Sequence, residues 1–171
     1  MKIVLLGYMA SGKSTIGKKL SEKLKMPFID LDNYISKKEN KSVSEIFSQD
    51  GEIYFRKKEH EYLKEVLVNQ QYCILSLGGG TPCYATNMEL IHEKNALSIY
   101  LKASIQTLSE RLLKNKSSRP LIALLEDEQV PEFIAKHLFE RRFFYEQAKK
   151  LLVVDKKSTL EIVNEIENLL L

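Results

Sequence analysis

Residues 3–15 read IVLLGYMASGKST. The first four form an unbroken apolar run, as in a strand covered on both faces. From Ser14 the period changes, and Ile16, Leu20 and Leu24 fall on one helical stripe. Between the two lies Gly7-x-x-x-x-Gly12-Lys13-Ser14, the phosphate-loop spacing with a strand before it and a helix after it. Main-chain N–H groups converge on a phosphate only where no side chain intrudes, which calls for glycine. A helix starting near Lys13 adds free N–H groups and the positive end of its dipole. The Lys13 ammonium can reach the β- and γ-phosphates of a nucleotide, and the Ser14 hydroxyl can serve Mg²⁺. Gly7, Ala10, Ser11, Gly12, Lys13, Ser14 and Thr15 are therefore the expected cradle for a nucleotide triphosphate.

Beyond this stretch, apolar runs alternate with helical patterns. Strands are expected at 2–6, 28–32, 72–77, 97–101 and 151–154. Helices are expected from 14 to the break at Pro27, over 51–69, over 104–113 and over 131–149. A last helix should follow Ser158, carrying Leu160, Val163, Ile166 and Leu169. Residues 33–50 are polar and lysine-rich, with one short helix opened by the capping box Ser42-Val43-Ser44-Glu45. A second capping box, Ser158-Thr159-Leu160-Glu161, opens the last helix. Lys114 to Pro120, KNKSSRP, reads as a basic loop. This alternation predicts an α/β three-layer sandwich, a parallel sheet with helices on both faces. Ligands in such sheets bind outside the carboxyl ends of the strands.

At 171 residues, 44% of them hydrophobic and 29% charged, the chain reads as a single domain. It has no run of 18 apolar residues to span a membrane, and its N-terminal apolar stretch is too short for a signal peptide. A cytoplasmic location is expected. The net charge of +3 is too mild to argue for nucleic acid. Cys73 and Cys83 read as reduced thiols, and His60, His92 and His137 have no metal spacing. Cys83, Tyr84 and Met88 read as packing.

A phosphate loop does not decide between hydrolysis, switching and transfer; the remaining polar residues bear on that. Asp30 and Asp32, two apart at the end of an expected strand, should point the same way. One near Mg²⁺ and one near an acceptor hydroxyl would divide the labour of phosphoryl transfer; a turn-capping aspartate is the plainer alternative. Arg56 shares a helical stripe with Ile53 and Leu63, and Arg141 one with Ile134, Leu138 and Tyr145. A guanidinium on an apolar stripe must find an anion, either an internal glutamate or a ligand. With Gly78, Gly79 and Gly80 ending a strand, two such arginines suggest a carboxylate-bearing substrate. Arg119, in the basic loop, could stabilise charge on a transferring phosphoryl group, or be a solvated loop charge.

Taken in order, GYMASGKST, FIDLD, GEIYFRKKE, LGGGTP, SRPL, ERRFFYEQA and VVD resemble the shikimate kinases over nearly the whole chain. The resemblance implies a P-loop kinase of the nucleoside monophosphate kinase type, with a five-stranded parallel sheet of order 2-3-1-4-5. It implies ATP and Mg²⁺ as cofactors, shikimate as the acceptor and a monomer without nucleic-acid or membrane partners. Lys13 and Ser14 would serve ATP and Mg²⁺, and Asp30 would help hold Mg²⁺ through water. Asp32 would contact the shikimate hydroxyls and act as base. Arg56, Gly78, Gly79, Gly80 and Arg141 would bind shikimate, and Arg119 would contact the phosphates from a lid. Arg111 and the loop at roughly Lys156 to Ser158 would flank the adenine. By the same resemblance residues 33–60 form a substrate-binding subdomain and 112–124 the lid, on a core of 1–32, 61–111 and 125–171. Where the family has R-x-P-L-Y, this chain has Arg141-Arg142-Phe143-Phe144-Tyr145. The Arg-to-Tyr spacing survives, with Arg142 as a rival for the role of Arg141.

Overall fold

A computed structural model describes residues 1–118 and 120–170. Five strands form one parallel sheet: β1 (Lys2–Leu6), β2 (Phe28–Asp30), β3 (Cys73–Ser76), β4 (Leu97–Lys102) and β5 (Lys150–Val153). Their order is β2-β3-β1-β4-β5, as the resemblance implied. Register runs Val4 beside Leu75 on one side and Val4 beside Ser98 on the other. Ile3, Val4, Leu5 and Leu6 are all fully buried, so consecutive residues of β1 find cover on opposite faces.

The helices are α1 (Lys13–Leu24), α2 (Leu31–Glu39), α3 (Val43–Gln49), α4 (Gly51–Asn69), α5 (Asn87–Glu93), α6 (Ile105–Lys114), α7 (Pro120–Ala123), α8 (Val130–Tyr145) and α9 (Thr159–Asn168). Both expected capping boxes are present, at Ser42/Glu45 before α3 and at Ser158/Glu161 before α9. Each satisfies two N–H groups that a helix start otherwise leaves unpaired.

Four expectations are corrected. The second strand stops at Asp30, not Asp32. Asp30 instead caps a helix, its carboxylate accepting from Asn33 N at 3.2 Å, which puts Asp32 in the first turn of α2. The helix expected to run to 149 ends at Tyr145, because the Ala148 N–H bonds back to the Tyr145 carbonyl in a turn that feeds β5. On α9 the buried face is Ile162, Val163 and Ile166, while Leu160 is 59% exposed. Ile53 is 89% exposed, so the stripe it was expected to share with Arg56 begins only at Phe55, where α4 packs.

Candidate active site

The switch between strand β1 and helix α1 creates the nucleotide end of the site. Gly7 has φ +148° and Gly12 φ +100°, conformations that favour glycine. A Cβ at Gly7 would also lie 2.7 Å from the Leu101 carbonyl. The loop curls so that Lys13 is buried, its Nζ donating to the Gly7 and Tyr8 carbonyls at 2.9 Å each. The Ser14 hydroxyl donates to Asp30 Oδ2 at 2.9 Å. The Ser11 hydroxyl is buried and, among the described residues, has no hydrogen-bond partner.

This loop forms one wall of a cleft of about 450 Å³. Met9 to Ile16, Asp30, Asp32 and Gly78 to Gly79 line it from the strand ends, and Arg111, Asn115, Lys157 and Thr159 from the far side. Arg111 is fixed by donating to the Ala10 carbonyl at 3.0 Å. Within the expected loop 156–158, Lys156 is exposed, turns at φ +56° and does not line the cleft, whereas Lys157 does. Arg119 lies outside the described residues.

A nucleotide with Mg²⁺ fits the residues present. Ser14 and Asp30 offer a hydroxyl and a carboxylate side by side, and small hard cations of this kind are held by few protein oxygens together with substrate phosphates.

The three glycines after β3 organise the other end. A Cβ built on Gly78 would meet Asp32 Oδ1 at 2.9 Å, one on Gly79 would meet an Arg141 guanidinium nitrogen at 3.4 Å, and one on Gly80 would meet that of Arg56 at 2.7 Å. Gly79 also faces the phosphate loop, its Cβ position lying 3.4 Å from Met9 N. Asp32, Arg56 and Arg141, far apart in sequence, thus converge on one turn that abuts the nucleotide loop. Burial, then the nearby Asp30 and Glu59 charges, raise the Asp32 carboxyl to about 6 against the pull of Lys13 and Arg56.

The two arginines are held differently. Arg56 bonds Glu59, 1% exposed, at 2.9 Å and stacks on the Tyr84 ring at 3.9 Å. Glu59 also accepts from the Thr81 hydroxyl at 2.6 Å. Arg141 lies 5.5 Å from the centre of the Tyr8 ring and beside Tyr145, whose hydroxyl donates to the Gly79 carbonyl at 2.6 Å. No carboxylate is within ion-pair distance of Arg141 among the described residues. Its rival Arg142 is 71% exposed and pairs with Glu146 at 2.7 Å, away from the turn. Between the arginines, burial pushes the Cys83 thiol up to about 11, which keeps it protonated and unreactive at neutral pH.

The shikimate kinase family model matches residues 9–170. The chain belongs to the shikimate kinase family. It is 51% identical over 169 residues to a shikimate kinase of Flavobacterium psychrophilum, covering 99% of this chain and 98% of that one. Its fold matches the crystal structure of shikimate kinase from Bacteroides thetaiotaomicron with a TM-score of 0.92 at 36% identity, over 99% and 98% of the two chains. It also matches shikimate kinase from Acinetobacter baumannii, solved in complex with shikimate, with a TM-score of 0.87 at 28% identity, over 99% and 92%.

Sequence reasoning missed Glu59, Thr81, Tyr8 and Tyr84 as the neighbours that surround the two arginines. Glu59 carried a readable signal, an acid on the same stripe of α4 as Phe55, Leu63 and Val66. Tyr84 was read as packing; it does pack, and the surface it covers is the Arg56 guanidinium.

Proposed function

We propose that the chain transfers the γ-phosphate of ATP to the 3-hydroxyl of shikimate, giving shikimate 3-phosphate and ADP. The observation that carries this reading is the glycine turn. It brings one carboxylate and two guanidinia to a single place and shares a wall with the phosphate loop. Membership of the shikimate kinase family supports the choice of acceptor.

In this reading ATP lies with its phosphates in the 7–15 loop, its adenine toward Arg111 and Lys157. Lys13 exchanges the Gly7 and Tyr8 carbonyls for phosphate oxygens. Ser14, and Asp30 through water, would hold Mg²⁺, which would supply positive charge to offset that of the phosphates. The acceptor's carboxylate meets Arg141 and Arg56, whose planar forks suit it. Asp32 accepts a hydrogen bond from the acceptor hydroxyl, orients it toward the phosphorus and takes its proton as the bond forms. With a carboxyl near 6, Asp32 is ionised yet basic enough for that role at neutral pH. Residues 33–60 act as the acceptor-binding subdomain and 112–124 as the lid, whose closure excludes water. Arg119 is assigned to the phosphates by its place in that segment alone. The working unit is proposed to be the monomer.

The test is ADP formation from MgATP with and without shikimate. Strong dependence on shikimate, with release of a product phosphorylated at the 3-hydroxyl, is expected. ADP formation that ignores shikimate, or proceeds equally with gluconate or a nucleoside monophosphate, overturns the reading.

A further inference from the structure

Asn87, the first residue of α5, is fully buried and belongs to neither half of the cleft described above. A buried amide persists where its groups are paired. Here Nδ2 donates to the Thr81 carbonyl at 2.8 Å, and Oδ1 meets His60 Nδ1 at 2.7 Å. With Nδ2 facing a carbonyl, the histidine must present Nδ1–H to Oδ1.

His60 follows Glu59 on α4, and Glu59 takes the Thr81 hydroxyl. Two consecutive residues of α4 therefore grip Thr81, one directly by its hydroxyl and one through Asn87 by its carbonyl. Thr81 is the residue after Gly80, the glycine against which the Arg56 guanidinium lies, 2.7 Å from its Cβ position. We propose that Asn87, oriented by His60, is a positioning residue for the acceptor. It fixes the peptide after Gly80, so that the turn meets Arg56 and Asp32 at the spacing a small sugar-acid requires. Asn87 touches no substrate and acts through Thr81. The phosphate loop is braced separately, by Lys13 on the Gly7 and Tyr8 carbonyls, so loss of Asn87 falls on the acceptor and not on the nucleotide.

This role rests on the proposed function, and steady-state kinetics with thermal melts tests the two separately. Asn87→Asp keeps an acceptor for the His60 N–H but removes the donor to Thr81; Asn87→Ala removes both. Each is expected to raise the shikimate KM roughly tenfold, the scale of one lost buried hydrogen bond, and to leave the ATP KM within about twofold. His60→Gln retains an N–H donor and should stay near wild type, while His60→Leu should raise the shikimate KM about threefold. A folded Asn87→Asp with a lowered Tm and both KM values unchanged overturns the role, as does an equal rise in both. If the Asn87 variants do not fold, the His60 pair decides, and equal shikimate KM values for Gln and Leu overturn it. Wild-type turnover that ignores shikimate overturns the proposed function itself; a shikimate-dependent wild type with unmoved variants overturns only the positioning role.

Discussion

Arg56 and Arg141 rest against adjacent glycines, Gly80 and Gly79, yet among the described residues only Arg56 has a buried carboxylate behind it. Glu59 balances the Arg56 charge, so the net positive charge offered to an acceptor's carboxylate comes from Arg141. Arg141→Ala should therefore raise the shikimate KM by roughly 10–150-fold, the scale of a charged hydrogen bond, with little change in Tm. Arg56→Ala should raise it too, but it also strands Glu59 and should lower stability by about 2–4 kcal/mol. Kinetics and melts of both variants check this; equal Tm losses would refute the asymmetry.

Asp32→Asn should nearly abolish turnover while stabilising the fold at neutral pH. A carboxyl raised from its ordinary value to about 6 binds its proton more tightly in the folded than in the unfolded chain. Between about pH 4 and 6 the folded state then holds more protons, so stability falls as pH rises through that window and stays lower above it. The asparagine variant lacks this loss. It should melt at a higher temperature than wild type at pH 7.5, a gain on the order of 3 kcal/mol, and the gap should shrink at pH 5. A gap that is constant with pH would contradict the raised carboxyl.

Lys13→Ala should lower kcat by roughly a hundredfold or more, as removal of a positioned transition-state charge does. The shikimate KM should move far less, because Lys13 is braced on the nucleotide loop and not on the glycine turn. Comparable losses in kcat and shikimate affinity would move Lys13 to the acceptor side.

Gly80→Ala and Gly7→Ala should separate site from scaffold. Gly80 has an ordinary φ of −89°, and its added carbon would press on the movable end of Arg56. The shikimate KM should rise about tenfold with a nearly unchanged Tm. Gly7 has φ +148°, and its added carbon would meet the Leu101 carbonyl, which cannot step aside. Gly7→Ala should cost about 2 kcal/mol or more in stability. Melts of the two proteins decide between these outcomes.

The sheet was legible because buried parallel strands read as apolar runs; β1, β3, β4 and β5 lie within a residue or two of their expected limits. Helix α2 was not, because the alternation of Phe28 to Asp32 continues past the point where Asp30 caps a helix. The expectation that Asp30 and Asp32 face one way survived by a different route: both line the cleft, one from a strand end and one from a helical turn. Arg141 was legible as a charge on a buried stripe. Of the partners that hold the arginines, Glu59 left a trace as an acid on the buried stripe of α4, but Thr81 and Tyr84 acquire their meaning only when α4 and the turn after β3 come together. Pairings across the fold leave no periodic trace along the chain.

Gly79 stands where the two compartments meet, its Cβ position lying 3.4 Å from an Arg141 guanidinium nitrogen and 3.4 Å from the Met9 amide of the phosphate loop. A methyl there would touch both at ordinary contact distance, and a side chain much larger than that would crowd both compartments at once, so neither can be enlarged from this wall. Divergence toward a bulkier acceptor must instead proceed through the helices that carry Arg56 and Arg141, leaving the donor compartment intact.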